Sequence, residues 1–148
     1  MIYAEQKYLP EPANQKEWIM SSKLELNSSI LLVDDETEFL QLLQEALSHR
    51  GATVHTAESG TIALEFLAAE KVDIVITDRN MPGLGGQELL IEIREKWPEI
   101  DVLMMTGVSS VRNAVEAMRL GAADFLEKPI DLATTVSILK RVENNRSI

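Results

Sequence analysis

Residues 73–86 read DIVITDRNMPGLGG. Ile74, Val75 and Ile76 are apolar in succession, as in a strand covered on both faces, and the run breaks at once into a Pro- and Gly-rich loop, Met81 to Gly86. Such a strand, Asp73–Thr77, belongs in the middle of a parallel sheet. The alternation repeats outward from it. Upstream, Ile30–Val33 is a short apolar run, followed by a helical stripe of Phe39, Leu40, Leu43 and Leu47 that Gly51 ends. Thr53–Ala57 reads as the second strand, and Ile62, Leu64, Phe66 and Leu67 fall in a second helix capped by Ser59. Downstream, Leu89, Leu90, Ile93 and Trp97 mark a third helix stopped by Pro98. Val102–Met105 is the fourth strand, a helix from Ser110 to Leu120 ends at Gly121, Asp124–Leu126 is the fifth strand, and a last helix follows Asp131. Five strands alternating with five helices predict an α/β domain whose right-handed crossovers put helices on both faces of a parallel sheet.

The chain has 148 residues, enough for one domain and not two. Hydrophobic residues make up 45% and aromatics 5%, a composition suited to a packed α/β interior rather than a disordered chain. The net charge of -10 argues against direct nucleic-acid binding, which needs Lys and Arg to neutralise phosphates. With no cysteine, disulfides, thiolate catalysis and cysteine metal sites are excluded. No apolar run is long enough for a bilayer, and the start of the chain lacks the basic and apolar segments of a signal peptide, so the expected location is cytoplasmic. Residues 1–28 carry Pro10 and Pro12 without strand alternation and read as an extension. Within it Asn14 and Glu17 would cap a short helix bearing Trp18, Ile19 and Met20. Residues 144–148 read as a tail, and with no effector after it the chain is expected to be a stand-alone unit or a piece of a longer regulator.

Polar residues fall where the strands end: Asp34 and Asp35 after the first, Asp78 after the third, Thr106 after the fourth and Lys128 just past the fifth. The carboxyl ends of the strands line the ligand crevice of an open α/β sheet, so these residues converge despite their separation in sequence. Three clustered carboxylates repel one another, which makes a divalent cation their natural partner. Mg2+ suits them as a hard, oxygen-seeking ion, with Mn2+ as a substitute, whereas zinc would want histidine or cysteine. His49 and His55 lie at a helix end and in the second strand and are assigned surface or structural roles. Lys128 supplies a point charge and Thr106 a rotatable hydroxyl for a phosphorylated carboxylate. Asp78, first in its loop, could attack phosphorus in line without a general base, being ionised at neutral pH.

The motifs ILLVDDE (30–36), ITDRNMPGLGG (76–86), MMTG (104–107) and FLEKPI (125–130), in this order and spacing, resemble the receiver domain of two-component response regulators, over residues 29–143. The resemblance implies a flavodoxin-like doubly wound sheet of strand order 2-1-3-4-5. It makes Asp78 the phosphoacceptor and Asp34, Asp35 and Asp78 the metal-binding acids, with the backbone carbonyl of Asn80. Thr106 would bond the phosphoryl group and shift towards it, Lys128 would pair with the phosphate, and the Lys128–Pro129 bond would be cis. Phe125 would be an aromatic switch that rotates inward, lacking a tyrosine hydroxyl. The expected donor is a sensor histidine kinase or histidine phosphotransfer protein. The expected activity is confined to the domain's own phosphorylation and dephosphorylation.

The fourth helix, fifth strand and last helix would form the switching surface, through which a homodimer would also assemble. Val111, Ala114, Val115 and Met118 follow helical spacing on the fourth helix, and most of them are assigned to the core, any left exposed forming a partner patch. Gly107 keeps the path to Asp78 open, and Asn80 and Val108 occupy positions that tune phosphoryl lifetime in the family. Gly85 departs from the acidic or amide residue frequent in the family and costs the third helix its side-chain cap. Arg79 is assigned to solvent. Two other readings start from the same residues: a binding module that is never phosphorylated, which should lack an acid, the Thr or the Lys, and a phosphoaspartate hydrolase, which would carry its nucleophile after the first strand and need a cap.

Overall fold

The computed structural model describes residues 25–107 and 111–146. Five strands, β1 Ser29–Val33, β2 Thr53–Ala57, β3 Ile74–Asp78, β4 Asp101–Thr106 and β5 Asp124–Glu127, alternate with α1 Thr37–His49, α2 Gly60–Ala69, α3 Gly86–Lys96, α4 Val111–Arg119 and α5 Leu132–Arg146. The sheet is parallel throughout, in the order β2-β1-β3-β4-β5. This is the flavodoxin-like doubly wound fold expected from the sequence.

The two-residue period of each strand divides the core in two. Ile30, Leu32, Ile74, Ile76, Leu103 and Met105 meet Leu40, Leu43 and Leu47 of α1 and Val136, Leu139 and Val142 of α5. Leu31, Val33, Val75, Val102 and Met104 meet Ala63 and Leu67 of α2, Leu89, Leu90 and Ile93 of α3 and Ala117 of α4. Ile74, Val75 and Ile76 are fully buried, each stabilising the fold by about 1.5–3 kcal/mol relative to exposure. Continuous hydrophobicity of β3 is therefore the direct consequence of its having helices on both sides.

Local signals end the elements where the sequence suggests. The Ser59 hydroxyl accepts from the Ile62 N–H at 3.1 Å, and α3 has Gly85 at its N-cap and so no side-chain cap. Asp131 caps α5 by accepting from the Thr134 N–H at 2.9 Å. Strand β3 is offset by one residue from the expected Asp73–Thr77. The Asp73 carboxylate accepts the Ser29 N–H at 2.8 Å, while Asp78 is held in the ladder opposite Met105. Asp78 thus closes the strand instead of opening the loop.

Residues 25–28 pack on the domain. Leu26 is buried in the α1/α5 half of the core, and the Glu143 carboxylate of α5 accepts from the Asn27 N–H, the Ser28 N–H and the Ser28 hydroxyl, at 2.9, 2.9 and 2.5 Å. The helix expected around Trp18, as well as Val108 and Ser110, lie outside the described residues.

One expectation fails on α4. Ala114 and Ala117 are buried, but Val111, Val115 and Met118 are 77%, 51% and 45% exposed. The helix packs on β4 and β5, and β5 is the sheet edge. It therefore rests on its alanines while its larger side chains overhang.

Candidate functional site

The ends of β1 and β3 bring the acids together. Asp34 is fully buried, Asp78 nearly so, and Asp35 exposed. One carboxylate oxygen from each lies within 4.8 Å of the other two. The Asp34 backbone is fixed by donation from its N–H to the Ala57 carbonyl at 3.2 Å, and its Oδ1 accepts the Glu36 N–H at 2.9 Å, turning the chain into α1. Its other oxygen, Oδ2, accepts from Lys128 Nζ at 2.8 Å. The same ammonium is 3.5 Å from Asp78 Oδ1 and 3.7 Å from Glu36 Oε1.

Burial pushes the Asp78 carboxyl above the ordinary carboxylate range; the Lys128 charge opposes this, the Asp34 charge adds to it, and the Asn80 N–H that donates to Asp78 opposes it. Burial works against the Lys128 ammonium, yet its hydrogen bond to Asp34 and the charges of Asp78, Asp34 and Glu36 together raise its pKa. One cation thus faces several carboxylates, and the pocket retains an excess of negative charge. Carboxylate oxygens without a histidine among them are a donor set for a hard divalent ion.

Thr106 ends β4 one residue past Met105, the register partner of Asp78, and is buried. Its carbonyl accepts the Lys128 N–H at 2.8 Å, so the β4 and β5 ends are tied together beside the acids. The Lys128–Pro129 bond is cis, as expected. Under the acids the loop after β3 folds tightly: a Cβ on Gly86 would collide with the Asp78 carbonyl oxygen, and the Gly86 N–H donates to the Arg79 carbonyl at 3.0 Å. Only glycine fits there. Around Gly107 the space is open.

Phe125 is 38% exposed. It lines a groove of roughly 730 Å³ with Thr106, Val111, Ala114, Val115 and Met118. The predicted switch aromatic therefore stands outward between the acid site and the exposed face of α4. His49 ends α1, and His55 lies in β2 with its ring 5.0 Å from that of Phe66; neither joins the acid cluster.

Arg79, assigned to solvent from the sequence, is half-buried and bonded: Nη2 donates to Gln87 Oε1 at 3.1 Å, and the Gln87 amide donates to Glu116 Oε1 at 2.8 Å. The loop after β3 is thereby linked through α3 to α4. Sequence reasoning also passed over Glu36 and Phe39 near Lys128. Glu36 was legible as the third acid of VDDE, whereas Phe39 was hidden within an ordinary helical stripe.

A family model described as the response regulator receiver domain matches residues 30–140. The chain belongs to this family. As a receiver it is similar to the response regulator protein FleR of Pseudomonas aeruginosa, 40% identical over 114 residues, covering 77% of this chain and 24% of that protein. It is also similar to the DNA-binding transcriptional regulator NtrC of Escherichia coli strain K12, 37% identical over 112 residues, covering 76% and 24%. The receiver spans about a quarter of the length of these relatives. A response regulator receiver domain protein from Clostridium thermocellum superposes with a TM-score of 0.76 at 35% identity, covering 82% of this chain and 98% of that one. NtrX from Brucella abortus in complex with ATP gives 0.78 at 32%, covering 82% and 28%. No helix among the described residues is long and apolar enough to cross a membrane.

Proposed function

We propose that this receiver accepts a phosphoryl group on Asp78 from a phosphohistidine of a sensor histidine kinase or histidine phosphotransfer protein, in the cytoplasm and with Mg2+. The observation that carries this reading is the meeting of the Asp34, Asp35 and Asp78 carboxylates within 4.8 Å, with the Lys128 ammonium between Asp34 and Asp78. Asp34, Asp35 and Asp78, with the Asn80 carbonyl, would hold the cation; Mn2+ would serve in its place. A bound ion supplies positive charge for the phosphoryl oxygens and opposes the burial that raises Asp78.

In transfer, an ionised Asp78 oxygen attacks phosphorus in line, the P–N bond to the donor imidazole breaks, and the departing nitrogen keeps the bonding pair. Lys128 neutralises charge on the transferred oxygens. The Thr106 hydroxyl donates to one of them and moves towards it, vacating space beside the groove into which Phe125 turns. That rearrangement alters the surface of α4, β5 and α5 and switches a partner, an effector or a second copy of the chain. The relatives' lengths favour an output on additional domains, and residues 25–146 are proposed as the switching unit, wider than the expected 29–143 because Leu26 is buried in the core and α5 runs to Arg146.

Incubation with phosphoramidate and Mg2+ followed by intact mass measurement tests the proposal. The wild type should gain the mass of one phosphoryl group and Asp78→Asn should gain none. An unlabelled wild type, or equal labelling of the variant, would overturn it.

A further inference from the structure

Lys128 crosses from one strand end to others in the site. It follows β5, at the sheet edge, yet its ammonium lies beside acids at the ends of β1 and β3, on the far side of β4. A flexible stem with a strongly hydrated head does not hold such a position unaided. Three of its neighbours are carboxylates: Asp34 at 2.8 Å, Asp78 at 3.5 Å and Glu36 at 3.7 Å. The fourth is the ring of Phe39, with Nζ over its face 5.0 Å from the centroid, inside the range of a cation–π contact. Phe39 lies in the first turn of α1 and packs against the core shared with α5, so the ring has a fixed backing.

The four contacts differ in what loading the site would do to them. A divalent cation held there would draw on the carboxylates of Asp34 and Asp78, and a phosphoryl group on Asp78 would attract the ammonium away from Asp34. An aromatic face competes for neither the cation nor the phosphoryl oxygens. We propose that Phe39 is a positioning residue for Lys128, its ring forming a shelf that keeps the ammonium at Asp78 while the carboxylate contacts are exchanged. The inference rests on the phosphoacceptor reading and adds a residue to it. It also accounts for an aromatic at the end of the α1 stripe nearest the site, where any apolar residue would satisfy the core.

Phosphorylation by phosphoramidate and Mg2+ is to be timed in the full chain, in wild type, Phe39→Leu, Phe39→Met and Phe39→Tyr, alongside the proton shifts of the Lys128 ε-methylene. Losing the aromatic face should slow phosphorylation about three- to tenfold in the Leu and Met variants, with Mg2+ affinity unchanged, while Tyr restores the rate. The ε-methylene should show an upfield ring-current shift in wild type and Tyr that is lost in Leu and Met. Wild-type rates in Leu and Met, or no ring-current shift in the wild type, would overturn the proposal. A wild type that gains no phosphoryl mass would instead overturn the acceptor reading, and the shift measured without donor would still decide whether the ring holds Lys128.

Discussion

At Asp78, burial and the neighbouring Asp34 charge favour the proton, while Lys128 and the Asn80 N–H favour the carboxylate, and burial prevails. The folded pKa therefore lies above the unfolded one. Stability tied to this proton is fully present below the ordinary carboxylate value of 3.8 and is lost as pH rises through the shifted folded value. In the absence of divalent ions Asp78→Asn should thus be more stable than the wild type at neutral pH, and the difference should close as pH falls towards about 4. Urea unfolding of both proteins across this range, with chelator, measures it; a difference independent of pH would refute the cause given. Added Mg2+ should stabilise the wild type selectively, by about 2.7 kcal/mol at a hundred times its dissociation constant. Gly86 presents the opposite kind of constraint, steric and insensitive to pH. Gly86→Ala should lower the thermal midpoint by several degrees, because the methyl group would meet backbone atoms of Asp78 and Arg79 and no flexible side chain that could yield.

Helix α4 shows how an element can be identified correctly and assigned to the wrong environment. Its apolar spacing is genuine, but the contacts with β4 and β5 fall on Ala114 and Ala117, leaving Val111, Val115 and Met118 outside. Met118→Ser should therefore change stability by no more than about 0.5 kcal/mol, whereas Ala117→Leu should cost about 1–3 kcal/mol. Denaturant unfolding compares the two, and equal losses would contradict the burial described. The Arg79–Gln87–Glu116 chain is the polar link from the acceptor loop to this helix. Gln87→Leu should remove both bonds and speed amide exchange in α4 more than in α1; equal changes in the two helices would deny a local effect.

Across the whole molecule, the carboxylate of Glu143 near the chain's end gathers the backbone just before β1, beside the buried Leu26. Glu143→Ala leaves the Ser28 N–H and hydroxyl without that acceptor and should cost about 1–3 kcal/mol; Leu26→Ala should cost about 2–5 kcal/mol. Chemical denaturation checks both, and stability unchanged by either would place residues 25–28 outside the cooperative unit. Neither residue was legible as structural, because each acts through a partner more than a hundred residues away or through a core formed only on folding. The alternation of apolar runs and helical stripes was enough to determine five strands, five helices and a parallel sheet. With the rule that crossovers are right-handed, it also placed Asp34, Asp35, Asp78, Thr106 and Lys128 at one end. Those inferences depend on periods of two and 3.6 residues, which are local properties of the chain. Only the tertiary structure decided which apolar side chains found a neighbour. It left Val115 and Met118 exposed along a groove with Phe125, stood Phe125 outward, and set Phe39 beneath Lys128, because burial depends on what lies across the gap and not on spacing along the chain.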